Sequence, residues 1–185
     1  KYSGAPVKSC RVTVSGLQKT GDFNITDYGL EGGVIYSHSR VILDDIYKKG
    51  RAIISIDFIP EKNYDEVFSL VSKPKGKNTL TNHLRKTLRL SGVRANLLRE
   101  LISSEELNSA VLLTKSIKAL EIPIYRSQPI DRAISSAGGI NFNATDENLM
   151  IKKMPGFFVT GEMLDWDAPT GGYLLTACII SSIFN

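Results

Sequence analysis

Apolar and polar positions alternate along the first part of the chain. Val7 to Val14 reads Val-Lys-Ser-Cys-Arg-Val-Thr-Val, and Phe23 and Ile25 alternate with Asn24 and Thr26 after a Thr20-Gly21-Asp22 turn signal. A two-residue period predicts half-buried strands. Gly29-Leu30-Glu31-Gly32-Gly33 interrupts the pattern, and Val34, Ile35 and Tyr36 resume it as a further strand. Ala52 to Phe58 is another, closed by Pro60. Short strands separated by glycine-rich turns predict a compact sheet or barrel over about residues 1–60.

From Tyr64 the period lengthens. Val67, Leu70 and Val71 share one helical face, and Leu80, Leu84 and Leu88 recur at i, i+4 and i+8 with Arg85, Lys86 and Arg89 turned away. Ser91-Gly92 breaks this run, and Leu97, Leu98, Leu101 and Ile102 form a second helical stripe. Ser103 or Ser104 caps a third helix, with Glu105 and Glu106 in its first turn. That helix is expected to run to about Leu120 and to end before Pro123. Beyond it, Ile130 to Ile134 reads as helix or turn, and Ser135 to Ile140 as a small-residue bend. Gly156 to Gly161 reads as a short buried strand, Asp165 to Gly172 as a loop, and Tyr173 to Phe184 as an apolar helix.

The chain has 185 residues, 42% apolar and 23% charged, which excludes a disordered chain, a collagen and a coiled coil. No apolar run reaches membrane-span length, so no membrane partner is expected. The chain opens at Lys1 and stops at Asn185 within an apolar stretch, as a piece of a larger protein would. Cys10 and Cys178 are too few and too distant for a disulfide framework or a metal site, and a reducing cytoplasm is the simplest compartment. His38 and His83 are isolated, which gives little support to a zinc or histidine-based catalytic site, and no bound metal is expected.

The net charge of +4 hides a local block. Lys73, Lys75, Lys77, Arg85, Lys86, Arg89, Arg94 and Arg99 fall in a stretch without any acid, leaving the rest of the chain 15 basic and 19 acidic residues. A solvated helix face is the simpler reading, and nucleic acid is not the expected partner. The alternative is a binding module without catalysis, using residues 73–99 to dock nucleic acid or an acidic partner.

The chemistry concentrates between Pro155 and Cys178. Phe157-Phe158-Val159 would deliver Gly161 and Glu162 at a strand end, and Thr170-Gly171-Gly172 would open the last helix. Ligands of open α/β sheets bind outside the carboxyl ends of strands. A Gly-Gly helix start lets a ligand approach the backbone and leaves N–H donors free. Glu162 is suited to hydroxyls of a ribityl or ribose chain. An ordinary strand–loop–helix unit with a glycine cap would look the same.

Pro155 to Asp165 together with Ala168 to Cys178 resembles the FAD-binding end of the BaiN/YhiN-like bacterial flavoproteins. Tyr28 to Gly33, Leu97 to Glu100 and Ala133 to Ile140 are similar to internal landmarks of an uncharacterised proteobacterial branch of that family. The resemblance implies an α+β chain with an insert domain at 1–123, in which a barrel-like β part spans about 1–60 and a helical part about 64–120. Residues 124–185 would be the C-terminal part of a Rossmann-like FAD-binding domain. The N-terminal half, with its G-x-G-x-x-G turn, is missing and becomes an expected partner. The implied function is a FAD-dependent oxidoreductase with an unknown small-molecule substrate. Gly161, Glu162, Thr170, Gly171, Gly172, Tyr173 and Leu174 would hold the ribityl chain and the pyrimidine edge of the flavin. The resemblance leaves Asp165 and Asp167 to cap the loop or face substrate. Trp166 would pack in preference to lying near the ring, and Ser136 to Gly139 would line the cavity or form a plain turn. The fragment alone is expected to hold little or no FAD.

Overall fold

A computed structural model describes residues 2–168 and 171–183. The chain divides into two compact units, Lys1–Arg126 and Ser127–Asn185; the sequence sets its boundary at 123/124.

The first unit is built on β1 (Ala5–Val14) and β2 (Leu17–Ile25), a long antiparallel hairpin. Ser15 and Gly16 join them at φ of 45° and 85°. Two left-handed residues in succession match the right-handed twist of the flanking strands. In β1 the buried positions are Val7, Cys10, Val12 and Val14. Val7 and Cys10 are an odd number of residues apart and would face opposite sides of a regular strand. The register shift between them, with Ser9 at φ 52°, absorbs the extra residue and returns the remaining apolar side chains to the core face. Asp22 fixes the bulge by accepting the Ser9 N–H at 2.7 Å.

With β3 (Leu30–Glu31), β4 (Ala52–Asp57) and β5 (Leu120–Ile124), the hairpin makes a curled antiparallel half-barrel in the order β3-β2-β1-β4-β5. The resulting α+β architecture is the expected one. Its concave face is filled by Phe23, Ile54, Ile56 and the β1 side chains, all at most 1% exposed.

Three local expectations are corrected. Val34 to Tyr36 is helix α1 (Gly33–Tyr36), followed by α2 (Ser39–Lys49), rather than a resumed strand. Buried Val34, His38 and Ile42 recur at helical spacing, and packing of that stripe on the sheet overrides the β preference of Val and Ile. The third helix of the helical part is also two helices. Here α3 (Tyr64–Val71), α4 (Leu80–Leu88) and α5 (Gly92–Leu101) precede α6 (Ser104–Asn108) and α7 (Ala110–Lys118). Ser109 ends α6 and caps α7. Finally, Leu120 to Ile124 is strand, with Pro123 opposite Ile53. The strand lies at the sheet edge, where the missing N–H of proline is tolerated.

Helix starts follow their sequence signals. Asn63 and Glu66 form a capping box on α3, and Ser103 and Glu106 form one on α6. The backbone bonds at Ser103 hold the Glu106 carboxyl below its ordinary range. The end of β4 is tied to α7 by a largely buried ion pair. Lys118 Nζ lies 2.7 Å from Asp57 Oδ2 and donates to the Ile59 carbonyl at 2.8 Å and to the Lys62 carbonyl. Asp57 Oδ1 accepts the Ile59 N–H at 2.9 Å. Among the described residues no helix is long and apolar enough to cross a membrane.

Breaking this pair leaves a charge uncompensated in a mostly buried place. Lys118→Ala is expected to destabilise the chain by about 3 kcal/mol, with Asp57→Asn/Lys118→Met recovering a substantial part of the loss. Urea unfolding measures both; equal stability of wild type and K118A would contradict the tie.

Candidate functional site

The second unit contains little regular structure. Three single 3-10 turns, Ile130–Arg132, Phe142–Ala144 and Gly161–Met163, precede helix α8 (Tyr173–Ile183). The expected buried strand Gly156 to Gly161 is corrected: Phe158 makes one isolated bridge with Met150, and Phe157 and Phe158 are half exposed. Only Val159 of that apolar run is buried. Backbone of the unit is instead satisfied by crossing loops.

One crossing sets the frame of the site. Ile140 N–H donates to the Met163 carbonyl at 2.7 Å, Asp165 N–H to the Ile140 carbonyl at 2.9 Å, and Gly138 N–H to Asp165 Oδ1 at 2.8 Å. A Cβ on Gly139 would run into the Met163 carbonyl, so the two loops approach at a distance only glycine permits. Asp165 thus pins the 138–140 segment.

A second close approach docks α8. Gly161 has φ 58°, and a Cβ there would lie 3.0 Å from Cys178 Sγ. Its N–H donates to Ser181 Oγ at 3.0 Å, which in turn donates to the Cys178 carbonyl. The glycine is thus required by helix packing within the chain. Its neighbour Glu162 is exposed, with no hydrogen bond or ion pair among the described residues.

Between these crossings lies an open depression of about 460 Å³. Phe142, Leu149, Leu164, Trp166, Tyr173 and Ile180 supply most of its wall; Gly161, Thr176, Ala177 and Ser181 complete it. The wall holds no carboxylate, imidazole or amine. The volume falls in the range of small-molecule sites, which are mostly apolar with a few placed polar groups. The exposed lining of this hollow is almost wholly apolar. Helix α8 opens at Tyr173, so the N–H groups of its first turn have no intrahelical acceptor. Gly171 and Gly172 lead into that turn at φ of 115° and 85°. The Gly172 carbonyl already accepts from Thr176 N and Oγ1, both at 3.1 Å.

The sequence-derived residues are therefore only partly brought together. Gly161 and Tyr173 line the depression. Glu162, Gly171 and Gly172 are exposed nearby in sequence, Leu174 is half-buried, and Thr170 lies outside the described residues. Phe142, Leu149, Leu164 and Ile180 were not foreseen. Thr176, Ala177 and Ile180 could have been found, since they share one helical face with Tyr173. Phe142 and Leu149 arrive through long-range loop packing that no local pattern announces.

Neither cysteine adds chemistry. Both are free. Cys10 donates to the Gly21 carbonyl at 3.3 Å, and burial pushes its thiol up to about 11. No group of side chains able to hold a metal occurs among the described residues.

Residues 1–135 match the family described as HI0933-like protein barrel and H2TH domain. The match covers the half-barrel and the helical part and stops before the depression. The chain is also 26% identical over 168 residues to the 3-dehydro-bile acid delta(4,6)-reductase of Clostridium scindens. That alignment takes in 85% of this chain and 41% of the relative, so the chain spans well under half the length of the protein it matches. By its half-barrel, its helical part and a match that runs from residue 1 to residue 135, the chain belongs to the HI0933-like family.

Proposed function

We propose that the chain is part of a FAD-dependent oxidoreductase acting on a small molecule, and that its depression beside Tyr173 receives the flavin ring. The observation that carries this reading is an apolar, aromatic-walled hollow at the start of a helix preceded by two glycines. Three further points support it: membership of the HI0933-like family, a relative named as a reductase, and the resemblance of residues 155–178 to a flavin-binding end.

The residues present fit such a ring. A flat heterocycle has two apolar faces and a polar edge; the wall offers Trp166, Tyr173 and Leu164 to a face. The first-turn amides from Tyr173 to Leu175 offer donors to an electron-rich edge, where the helix dipole also favours negative charge. Glu162, exposed beside Gly161, is placed in sequence to accept hydrogen bonds from chain hydroxyls. The bound flavin would supply the redox chemistry, and the chain would orient it and tune its electron affinity.

The remaining part of the flavin domain is the partner this reading requires. Helix α8 buries none of its residues, and Leu175, Ile179 and Ile183 are at least half exposed. An apolar face of that kind calls for a cover, and the missing N-terminal half of the domain would provide it. A cytoplasmic location suits two free thiols.

The complete polypeptide is expected to purify yellow, with a flavin absorbance band. A colourless product that cannot be reconstituted with FAD would contradict the reading. Within it, Glu162→Ala is expected to weaken FAD binding about 10- to 100-fold, the value of one charge-assisted hydrogen bond. Unchanged affinity in a titration would remove Glu162 from the site. Gly161→Ala places a methyl group against Cys178 at a positive φ; about 1–3 kcal/mol of lost stability is expected in urea unfolding, together with weaker FAD retention. Wild-type stability would contradict the docking role of that glycine.

A further inference from the structure

We propose that the helical part of the first unit carries a sequence-independent docking surface for the phosphate backbone of a nucleic-acid duplex. Seven of the eight basic residues between Lys73 and Arg99 are exposed: Lys73, Lys75, Lys77, Arg85, Lys86, Arg89 and Arg99. None takes part in an ion pair among the described residues. Elsewhere on the chain Lys48 and Lys49 pair with Asp44 and Asp45, and Lys118 with Asp57.

Side-chain contacts join the basic segments into one surface. Lys86 Nζ donates to Asn78 Oδ1 at 2.9 Å, and Asn78 in turn donates to the Lys75 carbonyl through both its backbone N–H (3.0 Å) and its side-chain amide (2.9 Å). This folds the Lys73–Lys77 turn back along α4. At the other end Arg94, half-buried, donates to the Phe58 carbonyl at 3.3 Å and the Arg89 carbonyl at 3.4 Å, fixing the turn between α4 and α5. Arg99 borders an open hollow of about 340 Å³ whose wall includes Thr79, Thr81, Ser104 and Asn108, all hydrogen-bonding side chains.

The composition of the surface selects the partner. Stable protein interfaces need buried aromatic or apolar anchors. No exposed large hydrophobic residue lies between residues 73 and 99. Single-stranded nucleic acid is gripped by aromatic stacking, and this stretch has no aromatic residue. Duplex phosphates require only cations and hydrogen-bond donors, which is what the surface offers.

The test is fluorescence anisotropy of the full chain with labelled DNA and RNA duplexes across a salt series. Binding is expected with a log–log salt slope of about −6, as neutralising about seven phosphates would give. Arg85→Gln/Lys86→Gln/Arg89→Gln is expected to flatten the slope by about 3 units. Lys73→Gln/Lys75→Gln/Lys77→Gln, confined to a loop, should do the same even if the helix variant folds poorly. A control with equal charge loss, Lys8→Gln/Lys19→Gln/Lys153→Gln, should leave the slope unchanged. No binding at low salt, equal loss in the control, or tighter binding to polyglutamate or anionic phospholipid vesicles than to either duplex would overturn the proposal.

Discussion

The contact of Gly161 with helix α8 holds the second unit together. The Gly161 amide bonds Ser181, and a Cβ there would lie 3.0 Å from Cys178 Sγ at a positive φ. That approach brings the loop at Gly161 against α8, and both line the hollow. Loop-to-loop hydrogen bonds hold the rest of the unit, which has no ladder longer than single bridges among the described residues, and no residue of α8 is fully buried. An open hollow framed by loops beside a half-exposed helix is suited to completion by a ligand or by more polypeptide. The small core also explains why the chain alone is expected to hold flavin poorly.

The first unit rests on different physics. A two-residue turn, one bulge and a continuous apolar face bend five strands into a half-barrel. The ion pair of Asp57 with Lys118 then fastens the helical part to it. These features are independent of the hollow, which matches the division of the family resemblance. The HI0933-like match ends at residue 135, while the flavin-like residues lie beyond it.

Much of this was legible in the residues. Alternation from Val7 to Val14, the leucine stripe of α4 and the capping serine of α6 each carry a local signal that tertiary packing does not override. Helix α1 was hidden because Val34 and Ile35 prefer strands and glycines flank them; only burial of Val34, His38 and Ile42 on one face decides the matter. Strand β5 was hidden by Pro123, which reads as a breaker until its edge position is known. For the site, the glycines and Tyr173 were visible, whereas Phe142, Leu149 and Leu164 depend on loop crossings set by Gly139 and Asp165. The role of Gly161 was visible only in part, because a glycine required by helix packing and one required by a ligand look alike in sequence.

Hydrogen exchange of the complete polypeptide, with and without FAD, tests the central claim most directly. The account predicts slowed exchange at the amides from Tyr173 to Thr176 on addition of FAD, with the Lys73–Arg99 surface unaffected. Tight FAD binding that leaves the start of α8 exchanging at its original rate would contradict it.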